Sequence, residues 1–415
     1  MISYATLTRA FLRIGLLSFG GPAAQIALMH RELVEDKKWV TEPDYLSALS
    51  FCMLLPGPEA MQLATWMGWK LKGTAGGLIA GLLFVLPGAA VVLALSMIYA
   101  AFGQIPLIAA LFTGVQAAVV AVVIEALLRV SKRALKSRIH WIIAALAFAA
   151  LFIFSLPFPV VIIAAGVYGY LTTQSGTAAP LDTPHPWGET LKAIAIWGII
   201  WLAPLAILIA YHPGIYADIG IYFSKLAVVT FGGAYAVLAW MAQAVVQDQH
   251  WLTTKQMMDG LGLAETTPGP LILVTEFVGY LAAYRQGGMA GGIFAAVITL
   301  WMTFAPCFLW IFAGAPWIAR LTAAARLSGA LKAITAAVVG VIANLSLWFA
   351  LQVFFATVTR IDAAPIHMIL PDPTTLNLIP SLIALAAAYL LLRRHWSLPL
   401  VLALAAVTSA AAATL

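Results

Sequence analysis

Charge is what this chain has least of. Asp, Glu, Lys and Arg make up 9% of its 415 residues and hydrophobic residues 63%, with a mean hydropathy of +0.98. Soluble domains carry about 25% charged residues. A soluble globular fold is therefore excluded, and no long polar stretch is left over for a soluble catalytic domain. Cysteine is almost missing too. Cys52 and Cys307 both lie inside apolar runs, which argues against a disulfide framework or a thiolate metal site and suits small buried hydrophobes. The seven histidines fall mostly in loops, without the spacing of a metal site. With no nucleophile motif and no phosphate loop, neither an enzyme nor a cofactor is expected. The first thirty residues lack the apolar core and cleavage site of a secretory signal and are expected to be mature structure. The net charge of +6 is spread over short loops rather than gathered in a patch, a distribution that orients a membrane protein and does not bind nucleic acid.

What is abundant is apolar runs long enough to cross about 30 Å of hydrocarbon as helices. They predict an all-α polytopic membrane protein, set in a lipid bilayer, with about thirteen spans: 9–30, 44–67, 75–102, 106–128, 140–156, 158–173, 190–211, 218–246, 257–284, 288–314, 331–356, 377–392 and 397–414. Segments 44–67 and 257–284 either span or re-enter. The loop RVSKRALKSRIH (129–140) holds five Lys/Arg and no acid, so it is expected on the cytoplasmic side. Counting outward gives a cytoplasmic N-terminus and an external C-terminus. The basic loops around 69–73, 320–332 and 393–395 then also fall inside, and the acidic loop 360–373 falls outside.

The chain repeats itself. Shifted by 212 positions, SFGGPAAQIALM (18–29) meets TFGGAYAVLAWM (230–241), and Pro56-Gly57-Pro58 meets Pro268-Gly269-Pro270; fourteen of the forty positions from Phe19 to Pro58 are identical. Small insertions raise the offset to 215 and then 219, where QAAVVAVVIEAL (116–127) meets TAAVVGVIANLS (335–346). The expected organisation is a first repeat over 1–174, a linker and connecting helix over 175–212, and a second repeat over 213–415. In the first half the loop before QAAVV is uncharged and the one after it basic. In the second half the loop before TAAVV is basic and the one after it acidic. Corresponding loops thus face opposite sides, the mark of inverted-topology repeats.

Each half carries a helix broken at Pro-Gly-Pro. In hydrocarbon such a break is tolerated only where the backbone is buried in protein or lines a cavity, and matching breaks in two repeats point to a transport site. Each break also opens a helix N-terminus, which suits an anion; the alternative is a plain packing kink. Gly20-Gly21 and Gly232-Gly233 either expose amides to a ligand or let helices approach closely. Arg13 aligns with Lys225, so a cation recurs, facing a pathway or snorkelling to the headgroups. The acids do not recur: Glu59 meets Leu271, Glu265 meets Met53 and Glu125 meets Asn344. An intramembrane carboxyl without a partner can hold a proton at neutral pH, which makes Glu59 and Glu265, beside the breaks, the proton-coupling candidates. Glu59 alternatively caps its own helix. Glu125 precedes Arg129 by one turn and reads as a surface ion pair. Gln25, Gln62, Thr266, Thr267 and Glu276 are expected to line the cavity.

At FLRIGLLSFGGPAAQI and LLPGPEAMQLATWMGW, and at their second copies LAVVTFGGAYAVL and ETTPGPLILVTEFVGY, the chain closely resembles the chromate transporter family in its long, two-domain form, over nearly its whole length. The resemblance implies an inner-membrane carrier that exports chromate on the membrane potential or proton gradient, with sulfate as a look-alike anion. The sequence itself does not fix the oligomeric state, and a homodimer stays open. It implies signature positions at Arg13, Gly20, Gly21, Pro22, Gln25, Pro56, Gly57, Pro58, Glu59 and Gln62, and at Gly232, Gly233, Pro268, Gly269 and Pro270. Ala234 stands in the second copy where the first has Pro22.

Overall fold

The computed structural model of the chain describes residues 2–174, 187–231, 234–363 and 366–414. Sixteen α-helices are present among the described residues. The first repeat supplies α1 (Tyr4–Leu17), α2 (Gly21–His30), α3 (Glu42–Cys52), α4 (Glu59–Phe102), α5 (Pro106–Ala134), α6 (Arg138–Phe152) and α7 (Phe158–Thr172). The connecting helix is α8 (Trp187–Tyr211). The second repeat supplies α9 (Ile215–Val229), α10 (Ala234–Gln243), α11 (Thr254–Thr266), α12 (Val274–Gly314), α13 (Ile318–Ala323), α14 (Ala325–Phe354), α15 (Leu378–Leu392) and α16 (Leu398–Ala413). Among the described residues five segments are long and apolar enough to cross a membrane: α4, α5, α8, α14 and the stretch Leu271–Trp317 that contains α12. The chain is a multi-pass helical membrane protein.

Four of the predicted spans are each two helices rather than one. Span 9–30 breaks at the Gly-Gly between α1 and α2, and 218–246 breaks between α9 and α10. Segments 44–67 and 257–284 break at Pro-Gly-Pro. The helices α6, α7, α15 and α16 are 15 or 16 residues long, about 22–24 Å, short of a full hydrocarbon crossing. Between α14 and α15 the chain forms a feature that hydropathy did not predict, an antiparallel hairpin of β1 (Val358–Ala363) and β2 (Ile366–Pro371). The β-branched run Val358-Thr359 and Ile361 suits a strand.

The repeat is also written in the backbone. Positive φ recurs at Lys38 and His250 (51° and 52°), at Gly57 and Gly269 (120° and 92°), at Gly73 and Gly288 (62° and 58°), and at Ser155 and His395 (48° and 53°). These pairs are related by 212, 212, 215 and 240 positions, the last offset having absorbed the hairpin. A π-helical turn follows both α2 and α10, at Arg31–Asp36 and Ala244–Asp248. Gly73 and Gly288 each kink a long helix, α4 and α12, at the same point of the repeat.

The described chain forms two compact units. One comprises residues 1–97, 174–237 and 267–328; the other comprises 98–173, 238–266 and 329–415. Each takes segments from both repeats. Within the first, α12 packs on α8 and α9; within the second, α5 packs on α11, α15 and α16. Lipid offers no hydrophobic drive for such contacts, so close van der Waals packing of small residues supplies them. Gly114 of α5 lies directly on the backbone of Ala405 in α16, and Gly340 of α14 lies on that of Ala144 in α6. Gly198 of α8, by contrast, has open space around it. Gly114→Leu is therefore expected to destabilise the protein by about 1–3 kcal/mol through overpacking, while Gly198→Ala stays within about 1 kcal/mol of the parent. Thermal melting of the purified protein in detergent checks both.

Candidate functional site

The four helix breaks of the two repeats, as far as they are described, come together in the first unit, and they satisfy one another. Proline supplies no N–H at 56 and 58 or at 268 and 270, so the glycine between them is the one amide of the tripeptide that can donate. Gly57 N donates to Thr230 O at 2.7 Å, and Gly269 N donates to Ser18 O at 2.8 Å. Ser18 and Thr230 are the C-caps of α1 and α9, where helix carbonyls lack intrahelical partners. Their hydroxyls behave alike, Ser18 Oγ donating to Ile14 O and Thr230 Oγ1 to Leu226 O, both at 2.6 Å. Every residue in one bond is the repeat counterpart of its equivalent in the other.

The exchange extends to packing. A Cβ on Gly57 would sit 2.9 Å from Cys307 Sγ and 2.8 Å from Gln62 Nε2; a Cβ on Gly269 would sit 3.3 Å from the Cα of Gly88 and 2.9 Å from Leu273 Cδ1. Gly88 and Cys307 are themselves repeat counterparts, 219 positions apart. Each Pro-Gly-Pro thus folds against the long helix of the opposite repeat, α12 for the first and α4 for the second.

On this symmetric frame sit side chains that are not symmetric. Gln25 is buried, and its Nε2 donates to Gly269 O at 2.7 Å and to Ser18 O at 3.3 Å. Gln62, also buried, donates from Nε2 to Pro56 O at 2.6 Å. Their counterparts are Val237 and Val274. The Oε1 atoms of both glutamines and Thr303 Oγ1 are buried without a hydrogen-bond partner, which leaves polar capacity for a ligand at both breaks, from Gln62 beside Pro56-Gly57-Pro58 and from Gln25 beside Gly269. The helix ends add to it. Gly20 and Gly21, at φ of 83° and 77°, lead into the N-terminus of α2; Gly20 is exposed and a Cβ on Gly21 would meet nothing within 4 Å. Glu59 opens α4 and is half-buried. Gly232 and Gly233 lie outside the described residues.

The remaining predicted positions are more scattered. Arg13 is 63% exposed, and its Nη1 pairs with Glu32 Oε1 at 3.2 Å; Lys37 Nζ pairs with Glu32 Oε2 at 3.2 Å. Glu32 is buried on the first π-helical turn. Sequence reasoning missed it, and the aligned Ala244 and Gln249 leave the second half without such a triad. Lys225 is exposed on α9. Thr267 is buried in the first unit, beside Pro268. Glu265 and Thr266 close α11 in the other unit, with Thr266 Oγ1 donating to Leu263 O. Glu276 is buried on α12 with its Oε2 lacking a hydrogen-bond partner, and Glu125 pairs with Arg129 as its spacing foretold.

The chain is similar to known proteins over most of its length. The model of a family described as "Chromate transporter" matches residues 5–170 and 217–410. A chromate transport protein of Pseudomonas aeruginosa is 34% identical over 348 residues, covering 82% of this chain and 80% of that protein. One of Cupriavidus metallidurans is 31% identical over 344 residues, covering 81% and 80%. A probable chromate transport protein of Synechococcus elongatus is 29% identical over 343 residues, covering 82% and 83%. No solved structure matches the chain.

The pairing of the breaks makes a stability prediction. Gly73→Ala meets no neighbour, only a backbone conformation (φ 62°, ψ −159°) that glycine alone adopts readily, for about 1–3 kcal/mol. Gly57→Ala and Gly269→Ala add a steric clash at the junction and are expected to cost about twice as much, read as the loss of melting temperature in detergent.

Proposed function

The chain belongs to the chromate transporter family, and on that premise we propose that it is a secondary transporter exporting chromate across the inner membrane, driven by the membrane potential or the proton gradient and conferring chromate resistance. The observation that carries the reading is the reciprocal bonding of the two Pro-Gly-Pro breaks to the ends of α1 and α9. Two elements that exchange equivalent bonds are related by a two-fold axis, and the opposed loop charges favour an axis in the membrane plane, hence inverted repeats. In transporters built this way the substrate sits at the discontinuous helices. The anion site is accordingly assigned to the breaks of the first unit: Gly20, Gly21, Gln25, Pro56, Gly57, Pro58, Gln62, Thr267, Pro268, Gly269 and Pro270. A cytoplasmic N-terminus and an external C-terminus follow from the loop charges.

The energetics suit export. A charge crossing 100 mV gains about 2.3 kcal/mol, so a dianion leaving an inside-negative cell gains about 4.6 kcal/mol. Arg13 has an outward task in this reading: held by Glu32, it presents a fixed positive charge on α1, one turn before that helix ends at Leu17 and seven residues before the Gly-Gly break.

Everted vesicles carrying the protein are expected to accumulate radiolabelled chromate when the membrane potential is clamped favourably. Absence of accumulation, with no competition by sulfate, contradicts the proposal. Arg13→Ala is expected to lower accumulation about tenfold and Arg326→Ala less than twofold; equal losses would remove Arg13 from anion handling.

A further inference from the structure

The second unit contains a buried carboxylate that neither the repeat nor the helix breaks explain. Asp259 lies in the middle of α11 and is 1% exposed. Tyr99 Oη, near the end of α4, donates to its Oδ2 at 2.6 Å, and Gln116 Nε2, on α5, donates to its Oδ1 at 2.6 Å. All three residues belong to the same unit. Their repeat counterparts are Ile318 for Tyr99, Ser47 for Asp259 and Thr335 for Gln116, so the arrangement was built once, on one side of an otherwise duplicated frame.

A carboxylate out of water normally has a cation beside it or a bound proton. Here the partners are two neutral donors. The charged and titratable groups around it are few. On α11 itself, Lys255 lies one turn before Asp259 and is exposed, and Glu265 lies six residues beyond it. On α5 the nearest is Glu125, nine residues past Gln116, about 13 Å along the axis, and already paired with Arg129. The part of α4 in this unit offers only Tyr99, and α16 has no titratable side chain. A metal cation fits poorly, because both carboxylate oxygens already face N–H or O–H hydrogens. A proton fits well. Once Oδ2 is protonated it can donate to Tyr99 Oη, the hydroxyl turning its own hydrogen away, so the same three heavy atoms accommodate both states.

Position on the chain gives this chemistry a consequence. Asp259 is seven residues before the end of α11 at Thr266, and the next residues are Thr267-Pro268-Gly269-Pro270. Removing a charge from the middle of α11 changes the balance that holds the helix leading straight into the second break. We infer that Asp259, held by Tyr99 and Gln116, is a proton-binding site, loaded from the aqueous phase and emptied again during the transport cycle, and that the proton is the coupling ion. The second part of this inference rests on the transport reading above; the first does not.

Infrared spectroscopy of the reconstituted protein, titrated with pH, reads the site without any substrate. In a Glu276→Gln background, which removes the other deeply buried acid of the second repeat, a carboxylic-acid carbonyl band is expected and is lost when Asp259→Asn is added. A band that survives Asp259→Asn in that background, or no band in Glu276→Gln alone, overturns the assignment. If Asp259→Asn does not yield folded protein, Tyr99→Phe keeps the acid and removes one donor, and the band must shift in frequency; an unshifted band also overturns it. In proteoliposomes the ratio of pH-driven to potential-driven chromate accumulation is expected to fall at least tenfold in Asp259→Asn, and an unchanged ratio refutes coupling at this site. Failure of the parent to move chromate at all, with the infrared band still lost in Asp259→Asn, refutes chromate transport and supports the proton site.

Discussion

A backbone that breaks inside hydrocarbon has to find its missing hydrogen bonds within the protein, and here each Pro-Gly-Pro finds one at a helix end of the opposite repeat. The amide of Gly57 bonds the carbonyl of Thr230, and the amide of Gly269 bonds that of Ser18. Each bond satisfies an orphaned carbonyl at a helix end and an amide stranded between two prolines. In an apolar medium an amide–carbonyl bond is worth about 4–6 kcal/mol, so leaving either pair open is far costlier than the backbone strain at the glycines. The need for close approach propagates outward: it calls for glycine at 57 and 269, for the small residues Gly88 and Cys307 on the long helices behind them, and for hydroxyl-bearing caps at 18 and 230.

That frame is symmetric, and its chemistry is not. The buried glutamines 25 and 62 and the acids Glu32 and Glu59 belong to the first repeat, where the second has valine, alanine and leucine. Asp259 and Glu276 belong to the second, where the first has Ser47 and Ala64. Duplication supplied the interlocking breaks, and divergence then placed first-repeat glutamines beside both Pro-Gly-Pro segments and a buried carboxylate on the helix leading to the second. In our reading this separates the handling of the anion from the handling of the proton.

Much of this was legible in the residues. Pro-Gly-Pro and Phe-Gly-Gly at matching spacing identified the duplication and the broken segments, because few other tripeptides interrupt a membrane helix so decisively. What each break bonds to was not legible, since a backbone amide pairing across repeats leaves no side-chain signature. The salt bridge between Arg13 and Glu32 was missed because the two are nineteen positions apart and the break between α1 and α2 interrupts simple helical spacing. Asp259 was missed because its partners, Tyr99 and Gln116, lie more than 140 residues away and look like ordinary helix residues. The hairpin between α14 and α15 was hidden in a loop read only for its charge.

The central claim is that the interlocked breaks of the first unit hold the transported anion. Anomalous diffraction at the chromium edge, from crystals of the protein soaked in chromate, tests it most directly. A chromium peak within bonding reach of the Gly20-Gly21 or Pro56-Gly57-Pro58 backbone is the expected result. A peak on any other part of the protein, with the breaks unoccupied, would contradict the account.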